Sequence, residues 1–449
     1  MTRTVAVVGG GIAGLAAAWE LVAGPGARGD RIVVLEASDR LGGKIRTGEV
    51  AGRAVDLGPD AFLARRPEAV GLAREVGLGE ELVAPALRRA YVWSRGRLRP
   101  LPDGLALGVP TRLGPVLRSG ILSPAGIARA GLDLVALTPS ARPGVRGGAG
   151  GDRAIGDIVG KSLGHEVVDR FVDPLIGGIN AGPVATMSAA AVYPPLLEAA
   201  ARGGSLFRAL RALAPAQAPA AAASGTAPVF LAPRHGVGAL VEALAGALTD
   251  KGVELRCRRP VSALARHGPR WHVVGGDETL EADCVVMAAP APVAAALLAP
   301  TDGELGRLLH GIDYATVAVL TYAVPAGAVG RVLDGTGFLV PAVEGWLTTA
   351  CTWMTAKWAH LARSGEVVLR ASVGRFGDDR AVTMTDDDLA ARVWEELTPV
   401  LSLAGTPTDV VVTRWPGAFP QYAVGHLDLV ARIDAAAATL GGLSLAGAA

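Results

Sequence analysis

Residues 3–8 form a short β-branched run that stops at a cluster of glycines, and beyond it apolar positions recur at helical spacing as far as Val22. A second β-rich run, RIVVLEA, covers 31–37. This order predicts strand, tight turn, helix and strand, the opening of a doubly wound α/β domain. The signal returns far downstream. GVGALVEALAGALTDKGVELRCRRPVSAL (236–264) predicts helix, strand, turn and strand, and EADCVVMAAP (281–290) a buried strand ended by proline. A single nucleotide domain is therefore expected from distant segments, 1–84, 226–299 and 411–449, with other domains inserted between them.

The first insert, 85–225, reads as mostly helical with Pro/Gly punctuation. It contains two low-complexity stretches, TPSARPGVRGGAGGDR (138–153) and ALAPAQAPAAAASGTAPVFLAP (212–233), which read as mobile surface loops. The second insert, 300–410, alternates strand-like runs such as TVAVLTYAV (316–324) and EVVLRASV (366–373) with one helix near 386–399. No internal repeat is visible.

A chain of 449 residues is too long for one compact core. Its net charge of +1 leaves no basic surplus, so no nucleic-acid partner is expected. Cys257, Cys284 and Cys351 lack paired spacing, which suits a reducing compartment and argues against a disulfide framework or a zinc site. The start lacks the basic lead and long apolar centre of a secretory signal, and no uncharged apolar run is long enough to span a bilayer. A soluble, cytoplasmic protein is expected. So apolar a composition leaves peripheral contact with the inner face of the membrane open.

Gly9, Gly11 and Gly14 form G-x-G-x-x-G between strand and helix, enclosing Gly10, Ile12 and Ala13. The first glycine permits the turn, the second lets backbone approach a pyrophosphate, and the third lets helix pack on strand. The helix N-terminus faces the phosphates with partial positive charge. Glu36, some twenty residues on, is placed to accept ribose hydroxyls. EASDRLGGKIRT then sets Arg40, Gly42, Gly43 and Lys44 beside that acid, as a loop pressed against a long dinucleotide or as a solvated charged turn. DLGPDAF (56–62) adds a rigid Gly58-Pro59 backbone on which a flat ring could lie.

These segments, with RFVDPLIGGINAGPVATMSAAAVYPPL (170–196), GFLVPAVEGWLTTACTWMTAKWAH (337–360) and RWPGAFPQYAVGHL (414–427), resemble the oxygen-dependent protoporphyrinogen and coproporphyrinogen III oxidases of haem biosynthesis. Those are FAD enzymes of the amine-oxidase superfamily, and the likeness is to the Gram-positive type. It runs in order over nearly the whole chain. It implies a Rossmann-like FAD-binding domain with inserted substrate-binding and mostly helical domains. FAD contacts then fall on Gly9 to Gly14, Glu36, Ala37, Arg40, Gly43, Lys44, the turn Gly58, Pro59, Asp60 and Ala61, the backbone at Val261, and Trp415. Without the resemblance, Val261 reads equally as a core valine.

The resemblance implies oxidation of coproporphyrinogen III to coproporphyrin III, three two-electron steps in which the flavin takes hydride and returns electrons to O2 as hydrogen peroxide. No acid–base side chain is required, and none is evident. The seven histidines show no metal spacing, and neither a nucleophile elbow nor a P-loop occurs. No metal is expected. LIGGINAG (175–182) is the substrate candidate: Gly177 and Gly178 remove bulk where a flat macrocycle nears the flavin, and Ile179 and Asn180 line the approach. A tight turn between helices reads the same way. Arg65 and Arg66 are candidates for substrate propionates, or an exposed pair. Asp60 stands where some relatives are basic, so their propionate contact does not carry over. Protoporphyrinogen IX oxidase is the second reading, followed by an amine or polyene oxidoreductase and a non-catalytic flavin-binding protein. Peripheral membrane contact through the helical domain and a transient contact with the next haem-pathway enzyme complete the implied partners. The resemblance also implies a final turn and helix beyond Ala449, and weak FAD retention by a chain that ends there.

Overall fold

The computed structural model describes residues 2–135, 151–217 and 228–448. Its first half-buried pattern is resolved into two faces of one sheet. β1 (Thr4–Val8) leads through a glycine turn into α1 (Ile12–Ala23) and on to β2 (Arg31–Leu35). Five parallel strands follow the order Glu254–Arg256, β2, β1, Cys284–Met287, Leu443–Leu445. Because side chains alternate along a strand, Val5, Val7, Ile32 and Val34 pack against α1 and the helix Gly238–Asp250. Ala6, Val8, Val33 and Leu35 face the other way. They pack on Trp271 and Val273 of a three-stranded antiparallel sheet, 261–282, and on the helices Ala291–Leu298 and Gly303–His310. Segments separated by more than 400 residues thus share one core.

A seven-stranded sheet stands beside it, ordered Asp409–Pro420, Tyr314–Pro325, Glu366–Val373, Thr348–Trp353, Gly337–Leu339, Tyr91–Ser94, Arg97–Pro100. Leu320, Tyr322, Leu369 and Ala371 face the helix Asp386–Leu401 through Leu389, Val393 and Leu397. The alternate residues Ala323 and Val368 cover the hairpin 47–56 through Val50 and Val55. The third body is helical, built around Ile155, Phe171, Leu196 and Leu210.

Element placement departs from expectation in three places. Residues 91–100, expected within a mostly helical insert, form an edge hairpin of the seven-stranded sheet, where the Trp93 ring packs tilted against Trp346 with centroids 5.2 Å apart. The helix 303–310 packs with the nucleotide core, because its apolar stripe, Leu305, Leu308 and Leu309, meets 291–298. Of the stretch 212–233, expected to be a loop, 212–217 ends a helix and Phe230–Pro233 is a strand; residues 218–227 lie outside the described residues. Of the loop expected at 138–153, residues 138–150 likewise lie outside the described residues.

Candidate cofactor cavity and substrate approach

At the C-terminal ends of the five parallel strands opens a cavity of about 820 Å3. Such a crevice is where doubly wound sheets hold nucleotides. Gly9, Gly11, Ile12, Ala13, Glu36, Ala37, Gly43, Lys44, Pro59 and Val261 all line it. Gly9 adopts φ +110°, which L side chains rarely tolerate, and Gly11 has nothing nearer its missing Cβ than Gly43 Cα at 3.9 Å. Gly11 stands at the N-cap of α1, which has no side-chain cap and no acid in its first turn, so its first amide hydrogens are left for an anion. Glu36 is pre-positioned: Oε2 accepts from the Gly10 amide at 2.7 Å, Oε1 from the Ser38 amide and hydroxyl at 2.8 Å. Lys44 has no carboxylate partner among the described residues and lies 5.8 Å over the Tyr314 ring. Partial burial holds its ammonium below the usual lysine range.

Other expected contacts serve the cavity from behind its wall. Gly10 is pinned between Leu41 and Glu36, and a Cβ at Gly14 would overlap the Gly9 carbonyl oxygen. Arg40 turns away from the cavity and donates to the carbonyls of Leu41, Gly43 and Ile45, at 3.2, 2.6 and 2.9 Å. It shapes the loop. Trp415 Nε1 donates to the Leu57 carbonyl at 3.0 Å and abuts Gly58, which has no room for a Cβ against the Lys44 carbonyl. Ala61 is half-buried off the cavity wall. Asp60 is buried and aimed elsewhere, 2.7 Å from Lys357 Nζ, 3.1 Å from Arg370 and 3.0 Å from Trp358 Nε1. Burial alone would raise its carboxyl, but Arg370 and Lys357 outweigh that and hold it well below the carboxylate range. Arg370 also donates to the Gly58 carbonyl at 3.0 Å, clamping the turn to the seven-stranded sheet.

Gly177 ends a widened helix, Val168–Gly177, that encloses Pro174, and Gly178–Asn180 continues it. Gly177 is small for packing, since a Cβ would meet the Gly182 carbonyl at 2.7 Å, whereas Gly178 faces open space. Ile179 is 62% exposed. The Asn180 side chain caps Ile176 at 2.8 Å and its carbonyl accepts from Gln421 at 3.1 Å. Pro420, next along, lines the large cavity, so one residue joins the bend to it. Arg65 and Arg66 are exposed, without an ion-pair partner among the described residues. Reading by motif missed Tyr314, Pro420, Lys357 and Arg370. No local pattern marks them, because each reaches the site from a strand or helix of another body.

Fold and cavity together define a dinucleotide-holding α/β flavoprotein. The family model of flavin containing amine oxidoreductases matches residues 12–449, and the chain belongs to that family. It is 31% identical over 452 residues to the coproporphyrinogen III oxidase of Bacillus subtilis strain 168, covering 99% of this chain and 93% of that one. It is 35% identical over 437 residues to the enzyme of that name from Mycobacterium tuberculosis H37Rv, covering 96% and 90%. A crystal structure from Exiguobacterium sp. 255-15, provisionally described as a protoporphyrinogen oxidase, matches with TM-score 0.86 at 31% identity, covering 100% of this chain and 94% of that one. The protein is an oxidoreductase and its cofactor is FAD. The cavity fits that group: an uncapped helix start, a side-chain-free approach at Gly11, an oriented carboxylate and an unpaired lysine. Among the described residues no cluster could hold a metal and no helix is long and apolar enough to cross a membrane.

Proposed function

We propose that this chain oxidises coproporphyrinogen III to coproporphyrin III, removing six electrons and six protons in three two-electron steps, with three O2 reduced to three H2O2. The observation that carries the reading is end-to-end likeness to enzymes so named, joined to a cavity built from the glycine turn and Glu36. FAD bound there would supply the hydride acceptor and pass its electrons to oxygen. The chain's own work is to bind and orient. Gly9, Gly11, Ile12 and Ala13 present backbone to the pyrophosphate, Glu36 takes the ribose, Lys44 balances charge, and Ala37 and Val261 flank the adenine end. Gly10, Gly14, Arg40, Gly43, Gly58, Pro59, Asp60, Ala61 and Trp415 set that backbone in place. Ile179 and Asn180, at the Gly177–Gly178 bend, receive the macrocycle, and Arg65 and Arg66 receive its propionates.

The nucleotide part, 1–84, 226–299 and the end of 411–449 beyond Pro420, holds FAD, with 303–314 added to its wall; the rest of 300–410, joined by the sheet strand Asp409–Pro420 that was expected in the nucleotide part, closes over the substrate. The helical part, 85–225, carries exposed Leu107, Leu117 and Leu132 and is the candidate for peripheral contact at the inner face of the membrane. A transient contact with the next haem-pathway enzyme belongs to the same reading. Protoporphyrinogen IX is the second substrate reading, favoured by the description of the Exiguobacterium structure. The test supplies each reduced macrocycle in air to FAD-loaded protein and follows porphyrin fluorescence. Faster turnover of coproporphyrinogen III is expected. Faster turnover of protoporphyrinogen IX, or fluorescence no quicker than air oxidation alone, overturns the assignment.

A further inference from the structure

Across the Gly58–Asp60 turn from the cofactor cavity lies a second one, of about 290 Å3. Pro59 faces the first and Asp60 the second. Five basic side chains reach its wall from three parts of the chain: Arg53 from the strand Arg53–Asp56, Arg234 and His235 from the loop after Phe230–Pro233, His360 and Arg363 from the segment after Trp358. Two aspartates also reach it, yet their oxygens are taken. Asp56 accepts from the Val237 amide at 3.0 Å and the Thr47 hydroxyl at 2.8 Å, and Asp60 is held by Lys357, Arg370 and Trp358.

Arg53 pairs with Glu366 at 2.9 Å, and Arg234 stands 3.6 Å from Glu81; neither acid lines the cavity. His235, His360 and Arg363 have no carboxylate partner among the described residues. Burial, then the charges of Arg234 and His235, hold the His360 imidazole below its ordinary range, so the cationic charge at the wall comes from the arginines. Such a surface attracts an anion.

We propose that this cavity is an oxyanion site, taking a carboxylate or phosphate group among Arg53, Arg234, His235, His360 and Arg363. Its volume lies at the low end for small-molecule sites, so it admits one anionic group rather than a macrocycle. That group is either a free anion or one carboxylate arm of a larger ligand.

The test is calorimetric titration of the FAD-loaded full chain with inorganic phosphate, at ionic strength held constant with chloride. Saturable binding is expected, at least tenfold weaker in the double variant His235→Gln/Arg363→Gln. Both residues are exposed, and an unchanged thermal midpoint confirms that the variant folds. The control Arg392→Gln, on a distant helix face, keeps wild-type affinity. No saturable binding, or equal affinity in all three proteins, overturns the proposal. Adding coproporphyrin III separates the sources: displacement of phosphate identifies a carboxylate arm, and retention identifies a free anion. The phosphate titration stands whether or not a porphyrinogen is turned over, so the two proposals fail separately.

Discussion

Two glycines of one motif do opposite work, and single methyl groups distinguish them. Gly14→Ala forces helix from turn, because its Cβ would overlap the Gly9 carbonyl oxygen; a loss of about 3 kcal/mol in urea unfolding of the FAD-free protein is expected. Gly11→Ala has open space and an ordinary backbone angle, so the FAD-free protein keeps its stability, within about 0.5 kcal/mol. It places a methyl where the pyrophosphate must approach, and FAD affinity falls at least tenfold by fluorescence quenching. Equal flavin affinity in Gly11→Ala and wild type would show that the cavity holds its ligand elsewhere. Asp60 carries the opposite lesson about charge. Asp60→Asn leaves Lys357 and Arg370 buried without their partner and should cost about 3–5 kcal/mol at neutral pH. Since folding depresses the Asp60 carboxyl, its stabilisation is complete above the ordinary carboxylate range and is lost as the pH falls below it. The variant should accordingly lose less stability than wild type between pH 5 and 2 in the same unfolding measurement.

At the scale of elements, the bend at 177–180 is held by ties that reach into other bodies. Asp173, on the widened helix, meets Arg375 at 3.1 Å, and the Phe376 amide donates to the Ala181 carbonyl at 2.7 Å. Proline inside a helix removes one ladder donor, and the widened turns absorb it. Arg375→Met should loosen the bend without touching the cofactor cavity. The expected signature is a KM for porphyrinogen raised about fivefold with FAD content unchanged in the absorption spectrum. Lost flavin with an unchanged KM would place the bend outside the substrate approach. Strand and helix periodicity read these elements well where one face is buried. It leaves 91–100 unmarked within the helical insert, where Tyr91–Ser94 takes its partner outside the hairpin from residues 337–339, and it shows no strand at Phe230–Pro233.

For the whole molecule, the cavity wall runs from Val8 to Ala448 and draws on three separated stretches of one parallel sheet. Saturating FAD should therefore stabilise the nucleotide core as a unit. At a hundredfold excess over Kd the gain is about 2.7 kcal/mol, read as one upward shift of the thermal midpoint. Hydrogen exchange should slow together in 4–8, 284–287 and 443–445; protection confined to the first of these would contradict a shared core.

The sequence by itself determined the local half of the cavity wall. The glycine turn, the acid after the second strand and the Gly58-Pro59 backbone are legible because their chemistry depends on residues near one another in the chain. It also announced that the nucleotide domain is discontinuous, since a buried parallel strand needs neighbours wherever they come from. Tertiary structure alone decided which side chains line the cavity and which brace its wall. Arg40 and Trp415 are turned onto carbonyls, Asp60 is drawn towards Arg370 on the seven-stranded sheet and Lys357 on the short helix Met354–Lys357, and Tyr314 and Pro420 arrive from strands of that sheet. The physical reason is that a buried polar side chain goes where its partner is, and the partner's position is a property of packing rather than of spacing along the chain.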